Sequence, residues 1–347
     1  MYFGVDVSGS DHLWRQRFPD GQPQQITFGP TEEGGVAVAP DGRSLITSIG
    51  MRQSALWIHD AHGDRALSSQ GYVTHPESTG MSGTIPVFWR DGKSIFYLTS
   101  ESPGAPTELW RTDVASGKSE KVLPGTFMVE FDVSDDAKEV LYSVRPPGKP
   151  LQLWIGTLDR RSPPQLISTS GEDSPYFRSD GRIVYRSFDG TNYYLSQMNR
   201  DGSGRSNVVS YPVGNIISMS PDRQWITTAG TIPGVGGGTF AVPLAGGAPR
   251  RICSGCPVTW SLDGKALYLF VRKPSVTDPG KTRVVPLQPG EMLPKLPPSG
   301  MRALDEPELF LGSYLIDAYG ISPSPDPSVY AYVKTTMHRN LFRIPLR

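Results

Sequence analysis

The chain has 347 residues with 34 basic and 34 acidic side chains, a formal net charge of zero that excludes broad electrostatic attraction to nucleic acid or anionic membrane. Its 38 glycines and 33 prolines make up about a fifth of the residues against an average near 12%; both break helices and serve turns, which excludes a helical body in favour of many short connections. The longest apolar runs, such as ALYLFV, are about six residues, where a membrane-spanning helix needs roughly twenty.

Taken in chain order, the first 29 residues offer YFGVDVS, HLWRQRF and QQITF, three strand-like runs that read as a repeat unit without its first strand. The start lacks the basic segment and apolar core of a signal peptide and begins as though already inside a strand. The chain is therefore expected to be the tail of a longer polypeptide. Next comes VAPDGRSLITS (Val38–Ser48), two short strands pinched around Pro40-Asp41-Gly42. Relatives of this hairpin return as FWRDGKSIFYLTS, DVSDDAKEVLYSV, FRSDGRIVYRSF, SMSPDRQWITTAG, TWSLDGKALYLFV and SPSPDPSVYAYVK. Their aspartates (Asp41, Asp91, Asp135, Asp180, Asp222, Asp263 and Asp326) recur at 41 to 50 residues with a last gap of 63, the period of a four-stranded propeller blade. Aspartate bonds the turn backbone and glycine accepts its positive φ, so these residues are turn formers and not a site.

After each hairpin a third strand follows, often with Leu-Trp (ALWIHDAHG, ELWRTDVASG, LQLWIGTLDR), then a turn and a short fourth strand such as KSEKVLPG, PPQLIS or APRRICS. Trp57, Trp110 and Trp154 in those third strands are expected to pack between blades. Only MRALDEPELFLG (Met301–Gly312) offers a short helix, inside a long loop. A four-stranded unit cannot bury both of its faces alone, so the units must stack in a ring. The expected fold is all-β, a β-propeller of four-stranded antiparallel blades forming a single domain over 1–347. It has a partial N-terminal blade at 1–29 and repeats near 34–74, 84–125, 128–169, 174–210, 215–253, 257–297 and 317–347. Seven inner hairpins favour seven blades, with eight (one incomplete) or six as the alternatives.

The Asp-Gly turns and Leu-Trp strands resemble the WD-like (WD40-like) repeats of TolB-type propellers over essentially the whole chain. More narrowly, HLWRQRFPDGQPQQITFGPTEEGGVAVAPDGRSLITSIGMRQSALWIHDAHGD, LDRRSPPQLIS and RNLFRIPLR resemble the C-terminal propellers of bacterial, notably acidobacterial, serine/threonine protein kinases. That resemblance implies a sensor or interaction module outside the cytoplasm (periplasmic), with a kinase domain in cis beyond a membrane span. The chain itself carries no glycine-rich ATP loop, no His-Arg-Asp loop and no Asp-Phe-Gly, so no kinase activity is assigned to it.

Linear signs of chemistry are few. Cys253 and Cys256 in ICSGCP read as an ordinary loop pair, disulfide-bonded if the chain lies outside the cytoplasm, with a metal or redox role as the rival. His59, Asp60, His62 and Asp64 fall at a strand-to-strand turn and read as a polar corner. PGVGGGTF matches neither a phosphate loop nor a dinucleotide fingerprint, and no Gly-x-Ser-x-Gly elbow is present. No catalytic residue, metal ligand or cofactor is therefore expected, and the chain is expected not to be an enzyme. The rivals are a metal-dependent lactonase or lyase with ligands in the channel, and the gating propeller of a prolyl-oligopeptidase-like hydrolase.

The long connections, second-to-third loops and blade-to-blade crossings, all lie on one face of such a ring, and loops on a rigid scaffold usually carry binding. On that face the candidate ligand-binding residues are Glu32, Glu33, Arg52, Glu77, Glu172, Asp173, Arg272 and Lys273, with Glu33 and Asp173 nearest the axis. The expected partner is a protein or peptide, or a small ligand; nucleic acid is not expected.

Overall fold

The computed structural model describes residues 1–7, 10–29, 31–68, 72–74, 86–101, 105–123, 126–272, 280–301 and 312–346. Every regular element among them is a β-strand. The first sheet is β1 (Tyr2–Val7), β2 (Ser10–Arg15) and β3 (Gln24–Gln25), paired in that order. Then come β4 (Glu32–Val38), the 17-residue β5 (Ser44–Asp60) and β6 (Gly63–Ser68). Blade I holds β7 (Tyr72–Val73), β8 (Val87–Phe88), β9 (Ser94–Ser100), β10 (Glu108–Asp113) and β11 (Ser119–Leu123), with β7 and β8 both lying against β9.

Blades II to V are antiparallel four-stranded sheets paired in chain order. Blade II is β12 (Met128–Val133), β13 (Glu139–Val144), β14 (Gln152–Thr157) and β15 (Gln165–Ser168). Blade III is β16 (Asp173–Phe177), β17 (Ile183–Phe188), β18 (Tyr193–Met198) and β19 (Ser206–Asn207). Blade IV is β20 (Asn215–Met219), β21 (Trp225–Ile232), β22 (Gly236–Pro243) and β23 (Arg250–Cys253). Blade V is β24 (Val258–Trp260), β25 (Ala266–Arg272), β26 (Gly280–Pro286) and β27 (Tyr314–Ile316).

The last two strands, β28 (Ser322–Pro323) and the 16-residue β29 (Tyr330–Pro345), build blade VI together with the N-terminal part of the chain. β29 runs antiparallel to β5 along its whole length, from Tyr330 opposite His59 to Pro345 opposite Ser44. β28 adds to the start of β29 and β6 to the second half of β5, so blade VI reads β28-β29-β5-β6. The first half of β5 carries β4 on its other side and continues the sheet away from the ring.

Six apolar clusters lie between successive blades. Phe96, Leu109, Phe131 and Val140 join I to II; Leu141, Leu153, Phe177 and Ile183 join II to III; Val184, Leu195, Ile216 and Ile226 join III to IV. Ala241, Ile252, Trp260 and Leu267 join IV to V; Tyr268, Phe270 and Ile321 join V to VI; Leu56, Ile58, Phe88 and Tyr97 return from VI to I. The series closes on itself, so among the described residues the ring has six blades, which corrects the seven favoured by the hairpin count. The reason is the Asp41 hairpin: β4 and the first half of β5 stand outside the ring, and only the second half of β5 enters it. The segment proposed as a short helix lies, apart from its end residues Met301 and Gly312, outside the described residues.

The turn aspartates act as their spacing implies. Asp41, Asp91, Asp180, Asp222, Asp263 and Asp326 each accept the backbone N–H two residues on, at 2.8–3.1 Å. In blade II the register differs by one. Asp136 is the turn residue there, and Asp135 is left for another task.

Because each cluster belongs to two blades, a hole in one loosens both. Leu153→Ala, at a fully buried position between blades II and III, should lower the unfolding free energy by about 2–5 kcal/mol in urea denaturation.

Candidate functional site

The first strands of the blades run along the axis and enclose a cavity of about 150 Å³. It lies at the end where first strands pass into their Asp-turns, and Trp89, Phe131, Tyr176, Ile217, Met219 and Trp260 are among its walls. A cavity of this size has room for a benzene-sized group.

Over this end stretches a polar web built on two arginines. Arg223 occupies the turn position where four of the other six hairpins have glycine, with φ of 55°. That left-handed conformation costs an ordinary residue about 1–3 kcal/mol and persists where the surroundings over-determine it. Here the surroundings are blades II and III. Nε and Nη1 donate to Asp135 Oδ1 and Asp132 Oδ2, both at 2.7 Å, Nη1 also to the Phe177 carbonyl at 2.8 Å, and Nη2 to the Val133 carbonyl at 3.0 Å. Burial alone would lower the guanidinium's pKa, but the carboxylates of Asp132 and then Asp135 outweigh it and hold the pKa above its ordinary value. Arg90, from the blade I turn, donates to Asp135 Oδ1 at 2.9 Å and, across the axis, to the Pro221 carbonyl of blade IV at 2.8 Å.

At the opposite end of the axis the polar groups are consumed internally. Arg186 grips Asp173 with two 2.6 Å bonds, donates to Asn215 Oδ1 at 2.6 Å and lies 4.2 Å over the Tyr193 ring. Glu130, buried beside them, accepts the Ser174 N–H at 2.6 Å and the Ser174 hydroxyl at 3.2 Å. Ser174 itself has φ of 50°. Burial, then the negative charge of Asp173, push the Glu130 carboxyl up to about 7, against the opposing pull of the Ser174 bonds and Arg186.

The sequence-derived candidates fall into three groups. Glu172 and Asp173 lie at this second end, both buried and both paired, Glu172 with Arg205 and Ser168. Glu32, Glu33 and Arg52 lie instead on the sheet outside the ring. Arg52 and Arg339 both donate to Glu32 Oε2, at 3.1 and 3.0 Å, and Glu33 is bonded to His12 and Thr27. Glu33 therefore does not approach the axis. Glu77 and Lys273 lie outside the described residues, as does the side chain of Arg272. Cys253 and Cys256 are joined by a disulfide, and His59 pairs with Asp64 while stacking on Tyr330, a polar corner.

Reasoning from sequence missed the axial web. Its signal was nonetheless present: SPDRQW puts arginine where the repeat has glycine, and SDDAKE carries a second aspartate.

No family model matches the sequence, and no curated protein matches it. Solved structures do. A putative TolB from Agrobacterium tumefaciens is 16% identical with a TM-score of 0.52, covering 82% of this chain and 99% of that one. TolB from Acinetobacter baumannii is 11% identical with a TM-score of 0.50, covering 99% of this chain and 79% of that one. An oligogalacturonate lyase from Vibrio parahaemolyticus is 11% identical with a TM-score of 0.45, covering 78% and 82%. The fold is thus that of the TolB-like β-propellers, and at these identities the likeness reaches no further than fold. The expectation that the chain is not an enzyme does not stand, because a propeller ring without a linear catalytic motif is no ground for excluding catalysis.

Two outcomes follow from the axial charges. Arg223→Ala, which leaves Asp132 without its cation and with the Phe177 N–H as its remaining donor, should cost about 3–5 kcal/mol of stability; Arg223→Gly should cost about 1 kcal/mol less, since glycine accepts the turn's φ, and chemical denaturation of the pair separates the two contributions. For Glu130, a carboxyl raised in the folded state favours folding while protonated. That contribution, up to about 3 kcal/mol for a shift of this size, is complete below the ordinary carboxylate range and lost as pH rises through about 7. Melting temperatures measured from pH 5 to pH 8 should fall for the wild type and stay flatter for Glu130→Gln.

Proposed function

We propose that this chain is a recognition propeller that receives an apolar side chain of a protein or peptide partner in the axial cavity at the Asp-turn end. The observation that carries the reading is the cavity itself: about 150 Å³, walled by aromatic and aliphatic side chains of five blades, with Arg90 and Arg223 at its rim. Apolar concavities ringed by a few placed polar groups are the usual form of a binding site. The long-loop end, favoured from sequence, offers less among the described residues, because its charges already neutralise each other in buried pairs.

The surroundings of the parent protein belong to the same proposal. The kinase-propeller resemblance of HLWRQRF, LDRRSPPQLIS and RNLFRIPLR supports a position outside the cytoplasm with a kinase in cis, and the Cys253–Cys256 disulfide supports an oxidising compartment. Sequencing the DNA upstream of Met1 tests this; a reading frame that continues into kinase and membrane-spanning regions is the expected result.

The binding reading is tested with Ile217→Lys and Thr259→Arg, which place a long charged side chain in the cavity from half-buried inner-strand positions. Peptides selected from a random displayed library on the wild-type protein should lose at least tenfold in affinity for both variants, with melting temperatures unchanged. Retained affinity would move the site elsewhere.

A further inference from the structure

β5 and β29 are unlike every other strand. In every other blade the second and third strands are separate elements, and where the connection is wholly described, in blades II, III and IV, it is short, such as Asp189–Asn192 between β17 and β18 or Pro233–Val235 between β21 and β22. β5 and β29 each run straight through the place where that turn belongs, and their midpoints face each other, with Met51 opposite His338 and Arg52 opposite Met337.

Burial along β5 has the parity of a hairpin. In the first half Ser44, Leu45, Thr47 and Gly50 are buried, in the second Ser54, Leu56 and Ile58; leaving aside Ser44 at the strand's start and Gly50, which has no side chain, the buried side chains pass from odd to even numbers at the middle. Side chains alternate along a strand, so two such halves share a face when the strand folds back with Gly50 opposite Gln53. Thr47 then meets Leu56, and Leu45 meets Ile58.

β29 supplies an independent observation. Its second half, Leu341-Phe342, repeats the Leu-aromatic pattern of the third strands, where Leu56, Leu109 and Leu153 are all 0% exposed. Leu341 is 78% exposed. A residue patterned for the core stands in solvent because its half-strand pairs with the wrong partner for a blade.

We infer that β5 and β29 are two opened hairpins that have exchanged halves, and that the chain has a second arrangement in which each closes on itself. In the closed arrangement β4, the two halves of β5 and β6 form one complete blade, while β28 and the two halves of β29 form another. Blade VI is thereby divided, and the ring passes from six members to seven. Backbone hydrogen bonds are traded strand for strand, so side chains set the balance, the condition under which one sequence supports two packings. Arg339 to Glu32 and Arg343 to Asp41 hold the exchanged form, whereas the Arg52 bond to Glu32 is compatible with both, since Arg52 would sit at the closed turn beside Glu32. Enlarging the ring changes the bore of the axis and brings β4, with Glu32 and Glu33, to it as an inner strand. The device is separate from the nature of the axial ligand and is tested without one.

The test uses cysteine pairs in the full chain, with the native disulfide intact and links assigned by peptide mass spectrometry. Ser48→Cys with Leu341→Cys reports the exchanged register; Ser48→Cys with Ala55→Cys reports the closed one. Under mild oxidation the first link should form at once and the second should accumulate more slowly as molecules visit the closed form. Adding Arg339→Ala should speed the second link several-fold, and adding Leu341→Asp should slow it several-fold. A Ser48–Ala55 link that forms no faster than a distant control pair, Ser48→Cys with Ser203→Cys, or that forms only between two copies of the chain, overturns the inference.

Discussion

A blade of this protein is a four-stranded sheet with apolar side chains on both faces, and neither face can be left in water. Leu141 faces blade III while Val140, its neighbour on the same strand, faces blade I. Likewise Leu267 and Tyr268 serve different clusters on either side of blade V. No blade can satisfy both faces without a neighbour on each side, and the only arrangement without an exposed end is a closed ring. The pairing of β29 with β5 supplies the closure, tying residues 330–345 to residues 44–59 and converting a stack into a ring.

Ring closure dictates the chemistry of the axis. First strands from all blades are brought within reach of one another, and any charge they carry loses much of its water. Such a charge persists only with a partner. The two ends of the axis meet that demand differently. At the Asp-turn end, Arg223 and Arg90 reach across to other blades and to carbonyls, spanning an apolar cavity. At the other, Asp173, Arg186, Asn215 and Glu130 are arranged shoulder to shoulder and leave no charge free among themselves. The small size of the cavity suits a compact group.

The likeness to TolB propellers belongs to the ring and to the repeat, since the same constraint produces the same architecture from sequences 11–16% identical. Function resides in what each chain places at the axis and on its loops, so the shared ring does not by itself assign one.

Local chemistry was readable residue by residue. Asp41, Asp91, Asp180, Asp222 and Asp263 hold their turns through bonds two residues long, and Leu56, Leu109 and Leu153 are buried as the third-strand pattern requires. The all-β class and the repeat therefore followed from sequence alone, because a turn and an alternating strand depend on neighbours a few positions away. The number of blades in the ring, the removal of Glu32 and Glu33 to an outer sheet, and the meeting of Arg223 with Asp132 and Asp135 were decided only by tertiary structure. Those outcomes depend on groups 88 to 307 residues apart, such as Arg339 with Glu32 and Arg223 with Asp135. No local pattern encodes which of several similar strands will find one another across the ring.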